Sequence, residues 1–198
     1  ANRASRRAIV DLASGRTLTY GDLHQRIDGL SAHLQSVGVT KGDRVALLAH
    51  NGPEYFDLQF AGMRIGSIAV LLNWRLTVPE LEYIVGDCSP SVLVYSPEFA
   101  DTAQELASRC GVTTLIPIDD DYEAIVTSGE SPETCLVEHD DPSTIMYTSG
   151  TTGHPKGAII THGMTFWNCV NLGIPARITP ETVQLVILPL FHTGGLNC

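Results

Sequence analysis

The sequence predicts an α/β fold in which a mostly parallel sheet is flanked by helices. Between residues 17 and 117, short β-branched or apolar runs alternate with longer amphipathic stretches, as expected for strands joined by crossover helices. The chain has 198 residues, and 43% of them are apolar, which is enough for a buried core. These observations predict a soluble globular protein with one large domain or two small ones.

The strands predicted in the first part of the chain are short runs of β-branched and aliphatic residues. Runs of this kind, bounded by turn residues, are typical of buried strands in parallel sheets. They cover residues 17–20, 44–49, 67–72, 91–95 and 113–118.

Helices are predicted between these strands. Leucine and isoleucine recur at helical spacing from residue 23 to residue 34, and Gly38 is a typical stop signal, which predicts a helix over residues 21–37. Proline in the first turn marks the start of two further helices. The further helices cover residues 53–65, 79–86 and 98–110.

The second part of the chain is predicted to begin with a connection. Residues 119–142 are acidic, contain Ser and Pro and lack clear periodicity, so we expect a surface connection with one short helix near residues 122–126. Strands are then predicted over residues 143–147, 158–161 and 183–188, with a helix over residues 162–171. The β-branched run at the end of the 158–161 segment favours pairing with the 143–147 strand.

The charge balance argues against nucleic acid and acidic membranes as partners. Twelve Lys and Arg stand against 22 Asp and Glu, for a formal net charge of −10, which repels polyanions over most of the surface. A small anion such as ATP can still bind, because it needs only a few local donors and one or two cations.

The cysteines and the apolar runs predict a cytoplasmic protein with neither a transmembrane segment nor a metal site. Five widely spaced cysteines form no CxxC pair, so we expect free thiols in a reducing compartment. No apolar run approaches the ~20 residues of a membrane span, and residues 1–7 lack the apolar segment of a secretion signal.

A glycine-rich loop follows the predicted 143–147 strand directly. Its three glycines allow backbone N–H groups to turn towards an anion, and its four hydroxyls and one lysine supply further donors. This set suits the β- and γ-phosphates of ATP. It differs from a Walker A loop because Pro155 precedes the lysine and Gly157 follows it, and a plain polar turn is the alternative interpretation. The candidate phosphate-binding residues are Thr148, Ser149, Gly150, Thr151, Thr152, Gly153 and Lys156.

Residues 147–162, YTSGTTGHPKGAIITH, resemble the ATP-phosphate signature of the adenylate-forming (AMP-binding) superfamily, which includes acyl-CoA synthetases, aryl-CoA ligases, luciferases and peptide-synthetase adenylation domains. Residues 188–196, LPLFHTGGL, resemble the acyl-site segment of that family. Weaker similarity covers residues 18–23, 42–46 and 72–76, in family order. One departure is Gly163-Met164 after the Thr-His pair, where family members often have Asn.

The resemblance implies that the chain is an incomplete N-terminal AMP-binding domain. Its expected parts are an α/β layer at residues 1–118, the connection at 119–142, and the phosphate-loop and acyl-site segment at 143–198. His192, Gly194 and Gly195 would then line the acyl pocket, although a histidine bonded in the interior is the alternative reading of His192. The catalytic lysine of the family would lie beyond Cys198, so no catalytic residue is assigned and the fragment alone is expected to be inactive.

The resemblance also implies the activity and the ligands. The branch is expected to be the acid-CoA ligases, which use ATP, Mg²⁺ and coenzyme A to activate a fatty or aromatic carboxylic acid as an acyl adenylate. Two alternatives stay open: an amino-acid adenylation domain that loads a carrier protein, and a non-catalytic nucleotide-binding module. The acid, the acceptor and the oligomeric state are not defined by this sequence.

Overall fold

The computed structural model describes residues 3–148 and 153–196. A small antiparallel hairpin, β1 (Arg7–Val10) and β2 (Thr17–Thr19), precedes the main sheet. The six-stranded main sheet has the order β6-β5-β3-β4-β7-β8. Its strands are β3 (Arg44–Leu48), β4 (Ile68–Leu71), β5 (Val92–Tyr95), β6 (Thr114–Pro117), β7 (Pro142–Thr148) and β8 (Lys156–Thr161).

Neighbouring strands of this sheet are parallel except for β7 and β8, which pair antiparallel. The α/β class and the mostly parallel sheet are therefore confirmed. So is the pairing expected of the 158–161 strand, since Met146 lies opposite Ala158 and Ile145 lies opposite Ile159.

Helices connect the strands and cover both faces of the sheet. Thr19 caps the first helix through a reciprocal capping box with Asp22, and Gly66 and Gly111 end two others in the left-handed conformation. The helices are α1 (Tyr20–Ser36), α2 (Glu54–Ile65), α3 (Val78–Cys88), α4 (Ala100–Cys110), α5 (Asp120–Val126), α6 (His162–Gly173) and α7 (Thr193–Leu196), with a 3₁₀ turn at Pro97–Phe99.

The core consists of two apolar clusters, one on each face of the sheet. Val45 and Leu47 of β3 belong to the cluster beneath α1, α2 and α5, whereas Ala46 and Leu48 belong to the cluster beneath α3 and α4. This alternation follows from the two-residue period of a strand. Burial on both faces explains why the strands are continuous apolar runs.

The prediction of a strand over residues 183–188 is wrong. Residues 182–187 have no regular secondary structure, and Val183, Leu185, Ile187 and Leu188 are exposed. Strand propensity is not sufficient without a partner strand, and no described strand pairs with this run. The first strand and the short α7 were not predicted.

Residues 119–142 contribute more to the core than a surface connection would. Tyr122 and Val126 of α5 are fully buried against the α1 side of the sheet. The chain then returns so that β7 pairs with β4 in the same sheet as the preceding strands. Among the described residues, no helix is both long and apolar enough to cross a membrane.

Candidate functional site

The glycine-rich loop lies at the carboxyl end of β7, beside β4. Open α/β sheets place their ligands at this edge. Thr148 is the last residue of β7 and Lys156 the first of β8, so the two ends of the loop face each other across one strand pair. Four of the predicted phosphate-binding residues lie outside the described part of the chain: Ser149, Gly150, Thr151 and Thr152.

The base of this loop is fixed against α3. A Cβ atom on Gly157 would lie 3.2 Å from the ring of Tyr147, so glycine leaves room for that ring across the strand pair. The Tyr147 hydroxyl donates a 2.5 Å hydrogen bond to Asp87 of α3. Burial, together with this bond, raises the pKa of Tyr147 above its usual range. The far side of the loop also contacts α3: the ring of His154 stacks on the ring of Tyr83 in α3, with the centroids 4.8 Å apart.

Two of the predicted phosphate-binding residues, Gly153 and Lys156, lie on the described far side of the loop. Gly153 has a φ of 92°, a conformation that favours glycine. The Lys156 side chain is exposed, and within residues 3–148 and 153–196 no carboxylate pairs with it. An exposed cation without a carboxylate partner is available to an anionic ligand.

His192 lies in a tight turn that follows the exposed 182–187 run. The backbone N–H of His192 donates to the Pro189 carbonyl at 3.1 Å, and the backbone carbonyl of His192 accepts from the Gly195 N–H at 2.9 Å. The Gly194 N–H donates to Nδ1 of His192 at 3.2 Å. In the neutral imidazole this bond assigns the proton to Nε2, which leaves an N–H donor on the other side of the ring.

A cavity of about 630 Å³ brings the loop and the histidine together. Thr148 and Gly153 line it from the loop, and Phe191 and His192 line it from the turn. Leu76 and Ile84 add apolar surface around α3. Gly194 and Gly195 are not among the described residues that line this cavity. Gly195 is buried, and a Cβ there would lie 2.2 Å from the Pro189 carbonyl oxygen.

Among the described residues, the lining of the cavity offers one carboxylate to a metal ion. This carboxylate, Glu80, accepts hydrogen bonds from the Thr77 N–H and hydroxyl, and these bonds lower the pKa of Glu80. In the described ranges, no group of three or more His, Cys, Asp and Glu side chains could hold a metal ion.

Two neighbouring polar residues were not singled out by sequence reasoning. Asp87 anchors the Tyr147 hydroxyl, and Asn51, just beyond the carboxyl end of β3, bonds to the backbone on either side of Pro189. The signal for Asn51 was its place after a buried strand, where polar residues often lie at a ligand site. No sequence signal pointed to Asp87.

The profile of the AMP-binding enzyme family matches residues 1–198. The chain belongs to this family. It is 39% identical over 195 residues to a feruloyl-CoA synthase of Amycolatopsis sp., covering 98% of this chain and 38% of the relative. It is also 37% identical over 190 residues to an indoleacetate–CoA ligase of Aromatoleum aromaticum, covering 92% and 37%.

Solved structures of the family share the fold. ATP-bound MatB from Rhodopseudomonas palustris superposes with a TM-score of 0.87 and 31% identity, over 100% of this chain and 40% of that one. The N-terminal domain of FACL13 from Mycobacterium tuberculosis gives a TM-score of 0.79 and 30% identity, over 96% and 49%. The structure thus corresponds to part of the N-terminal domain of an adenylate-forming enzyme. The chain spans about two fifths of the length of the curated relatives that it matches.

Proposed function

We propose that the chain is the N-terminal portion of an ATP-dependent acid-CoA ligase. The observation that supports this most strongly is the shared cavity, which is lined by Thr148 and Gly153 of the phosphate loop and by His192 of the turn. A reaction between ATP and a carboxylic acid requires the triphosphate and the acid to meet in one place. The similar proteins named as CoA ligases support this branch of the family.

The proposed reaction has two steps. A carboxylate oxygen attacks the α-phosphorus of ATP, the bond from that phosphorus to the bridging oxygen breaks, and pyrophosphate leaves. The thiol of coenzyme A then attacks the carbonyl carbon of the acyl adenylate, and AMP leaves as the thioester forms. Aromatic acids are the first candidates, because feruloyl-CoA and indoleacetate–CoA enzymes are among the similar proteins.

The loop would act by holding the leaving group. Negative charge builds on the β- and γ-phosphates as pyrophosphate departs, so donors aimed there stabilise the transition state more than the ground state. In this proposal Lys156 is the cation, Gly150 and Gly153 contribute backbone N–H groups, and the hydroxyls are those of Thr148, Ser149, Thr151 and Thr152. The Nε2–H of His192 would face the acid.

Magnesium is proposed only as the companion of ATP. The described residues offer no carboxylate set for it, so no step is assigned to a metal ligand of this chain. Coenzyme A is the proposed acceptor. A carrier protein is the competing acceptor, because a fatty acid–[acyl-carrier-protein] ligase of Streptomyces coeruleorubidus is 31% identical to the chain over 197 residues.

The test is acid-dependent exchange of pyrophosphate into ATP, run on the longer polypeptide that contains this chain with a panel of aromatic and fatty acids. We expect exchange with at least one aromatic acid, and a loss of about 100-fold in Lys156→Met, the scale of one transition-state donor. Lys41→Met is the matched control, since Lys41 lies outside the phosphate loop and pairs with Asp141. No exchange with any acid, or equal loss in both variants, would overturn the proposal.

Residues 1–198 alone are expected to give no measurable exchange. The loop can hold β- and γ-phosphates, but adenylation also needs stabilisation at the α-phosphorus, and groups of that kind contribute ~3–4 kcal/mol each. Clear exchange by the short chain would show that the groups acting on the α-phosphorus lie within it.

A further inference from the structure

Asn51 makes a two-point contact with the segment that carries His192. Its side-chain Nδ2 donates to the Leu188 carbonyl at 2.9 Å, and its Oδ1 accepts from the Leu190 N–H at 2.9 Å. These are the two backbone groups that a neighbouring strand would bond in a sheet. The primary amide of Asn51 therefore holds this backbone as a strand partner would, across 137 and 139 residues of sequence.

On the N-terminal side of Leu188, the segment has few other contacts that hold it to the main sheet. The run before it has no regular secondary structure and is largely exposed. Leu190, which is 3% exposed, anchors the turn from below in the core. After Leu190, Phe191 and Leu196 also pack against the core, and the Thr193 hydroxyl donates to the Met146 sulfur of β7 at 3.4 Å. The backbone hydrogen bonds of Pro189, His192 and Gly195 are internal to the turn and set its shape. Asn51 is the polar contact that holds the backbone before His192, at Leu188 and Leu190.

Asn51 is itself well placed to set that position. It lies three residues beyond the end of β3, a central strand whose last four residues are fully buried. Tyr55, at the start of α2, bonds through its hydroxyl to the Ala49 carbonyl at 2.8 Å and fixes the backbone beside Asn51. The amide thus connects a rigid part of the sheet to the turn.

We propose that Asn51 is a positioning residue that sets the location of His192 at the acid-binding side of the cavity. The inference rests on the proposed function for its catalytic consequence, but not for its structural part. The side-chain hydrogen bonds of Asn51 go to the segment that carries His192 and not to the described residues of the phosphate loop. Its loss should therefore weaken use of the acid and leave binding of ATP nearly unchanged.

The variants are Asn51→Ala, which removes both bonds, and Asn51→Asp, which keeps the shape. The aspartate retains an acceptor for the Leu190 N–H but turns a carboxylate oxygen towards the Leu188 carbonyl. Gln35→Ala is the matched control: Gln35 makes a similar two-point contact with the Glu133 backbone, at 2.7 and 3.0 Å, and neither residue lines the cavity. A general effect of removing an amide clamp would appear in all three variants.

Two measurements are made on the longer polypeptide. Deuterium uptake of the peptide covering residues 186–196 is expected to rise in both Asn51 variants and to stay at the wild-type level in Gln35→Ala. In pyrophosphate exchange, the KM for the acid is expected to rise on the order of tenfold, the effect of losing one or two ordinary hydrogen bonds, while the KM for ATP changes less than about twofold.

The outcomes separate this inference from the proposed function. Unchanged uptake in the Asn51 variants overturns the positioning role, whatever the activity. Raised uptake with equal changes in the two KM values, or with none, overturns the link to the acid. A wild-type protein with no exchange overturns the proposed function and with it the catalytic consequence, while uptake still decides whether Asn51 holds the turn.

Discussion

Gly194 and Gly195 are neighbours in sequence, but a methyl group at each would meet different surroundings. At Gly195 the Cβ would lie 2.2 Å from the Pro189 carbonyl oxygen and 2.6 Å from its carbon. Both contacts are with backbone, so relief requires the turn to open. At Gly194 the nearest atom is the end of the Leu188 side chain, at 3.2 Å, which can rotate away.

We therefore expect Gly195→Ala to be far more damaging than Gly194→Ala. Overpacking against fixed atoms costs about 1–3 kcal/mol, and opening this turn would also shift His192. Chemical denaturation should show a loss of that size for Gly195→Ala and less than about 0.5 kcal/mol for Gly194→Ala. Equal losses in the two variants would mean that the turn is looser than its hydrogen bonds indicate.

At the scale of elements, one buried ionic cluster joins the three helices on one face of the sheet. Arg26 of α1 is 3% exposed and bonds to the fully buried Asp57 of α2 at 2.7 Å and to Glu123 of α5 at 2.6 Å. The Tyr122 hydroxyl also donates to Asp57, at 3.1 Å. Burial raises the pKa of Asp57, while its hydrogen bonds with Arg26 act in the opposite direction.

Arg26→Met should lower the free energy of unfolding by about 3–5 kcal/mol, because it leaves Asp57 charged and without a cation in the interior. Arg109→Met is the control, since Arg109 pairs with Glu82 at 2.7 Å and both side chains are exposed. That change should cost less than about 1 kcal/mol. Similar losses in the two variants would contradict the importance of burial.

The penalty of Arg26→Met should also depend on pH. A pKa raised above the ordinary 3.8 of an aspartate means that the folded protein holds the Asp57 proton more tightly than the unfolded chain does. Stability present at low pH is then lost as the pH rises through the raised pKa. Without Arg26 the pKa of Asp57 in the folded protein rises further, so the penalty should shrink as the pH is lowered from neutral towards that raised pKa. A constant penalty would argue against ionised Asp57 as its cause.

Local sequence patterns predicted the helices, whose backbone hydrogen bonds are internal, and the apolar strands that pair with other apolar strands. The strands around Val45, Val70 and Leu93 are apolar on both faces, and the parallel sheet buries both faces. The run at 183–188 has the same composition, yet no described strand pairs with it. The composition of a segment indicates only its propensity to form a strand, whereas the presence of a partner strand depends on the rest of the fold.

The candidate site also contains residues that the local sequence predicted and residues that it did not. Loop chemistry and family resemblance pointed to the segments around Thr148 and His192, and both line one cavity. Asn51 and Asp87 could not be paired with their partners from the sequence, because each acts across a separation of 60 residues or more. Such contacts depend on the order of strands in the sheet, which local periodicity does not specify.

At the scale of the whole molecule, exposed large apolar side chains are concentrated in α6 and in the run that follows it. In α6 they include Phe166, Trp167 and Val170, and the run at 183–188 adds Val183, Leu185, Ile187 and Leu188. Monomeric proteins seldom expose apolar surface on this scale. By contrast, Leu136, which is 80% exposed, lies in the 119–142 segment on its own.

We therefore expect residues 1–198, produced alone, to self-associate through these two stretches and to bind the apolar dye ANS. Ile187→Lys places a charge in the run, where Ile187 is 77% exposed, and should reduce both association and dye binding. Leu136→Lys makes the same kind of change at a similarly exposed but isolated leucine, and should alter neither. Sedimentation velocity over a range of concentrations measures the association. A chain that stays monomeric at high concentration, or equal effects of Ile187→Lys and Leu136→Lys, would show that these stretches do not mediate self-association.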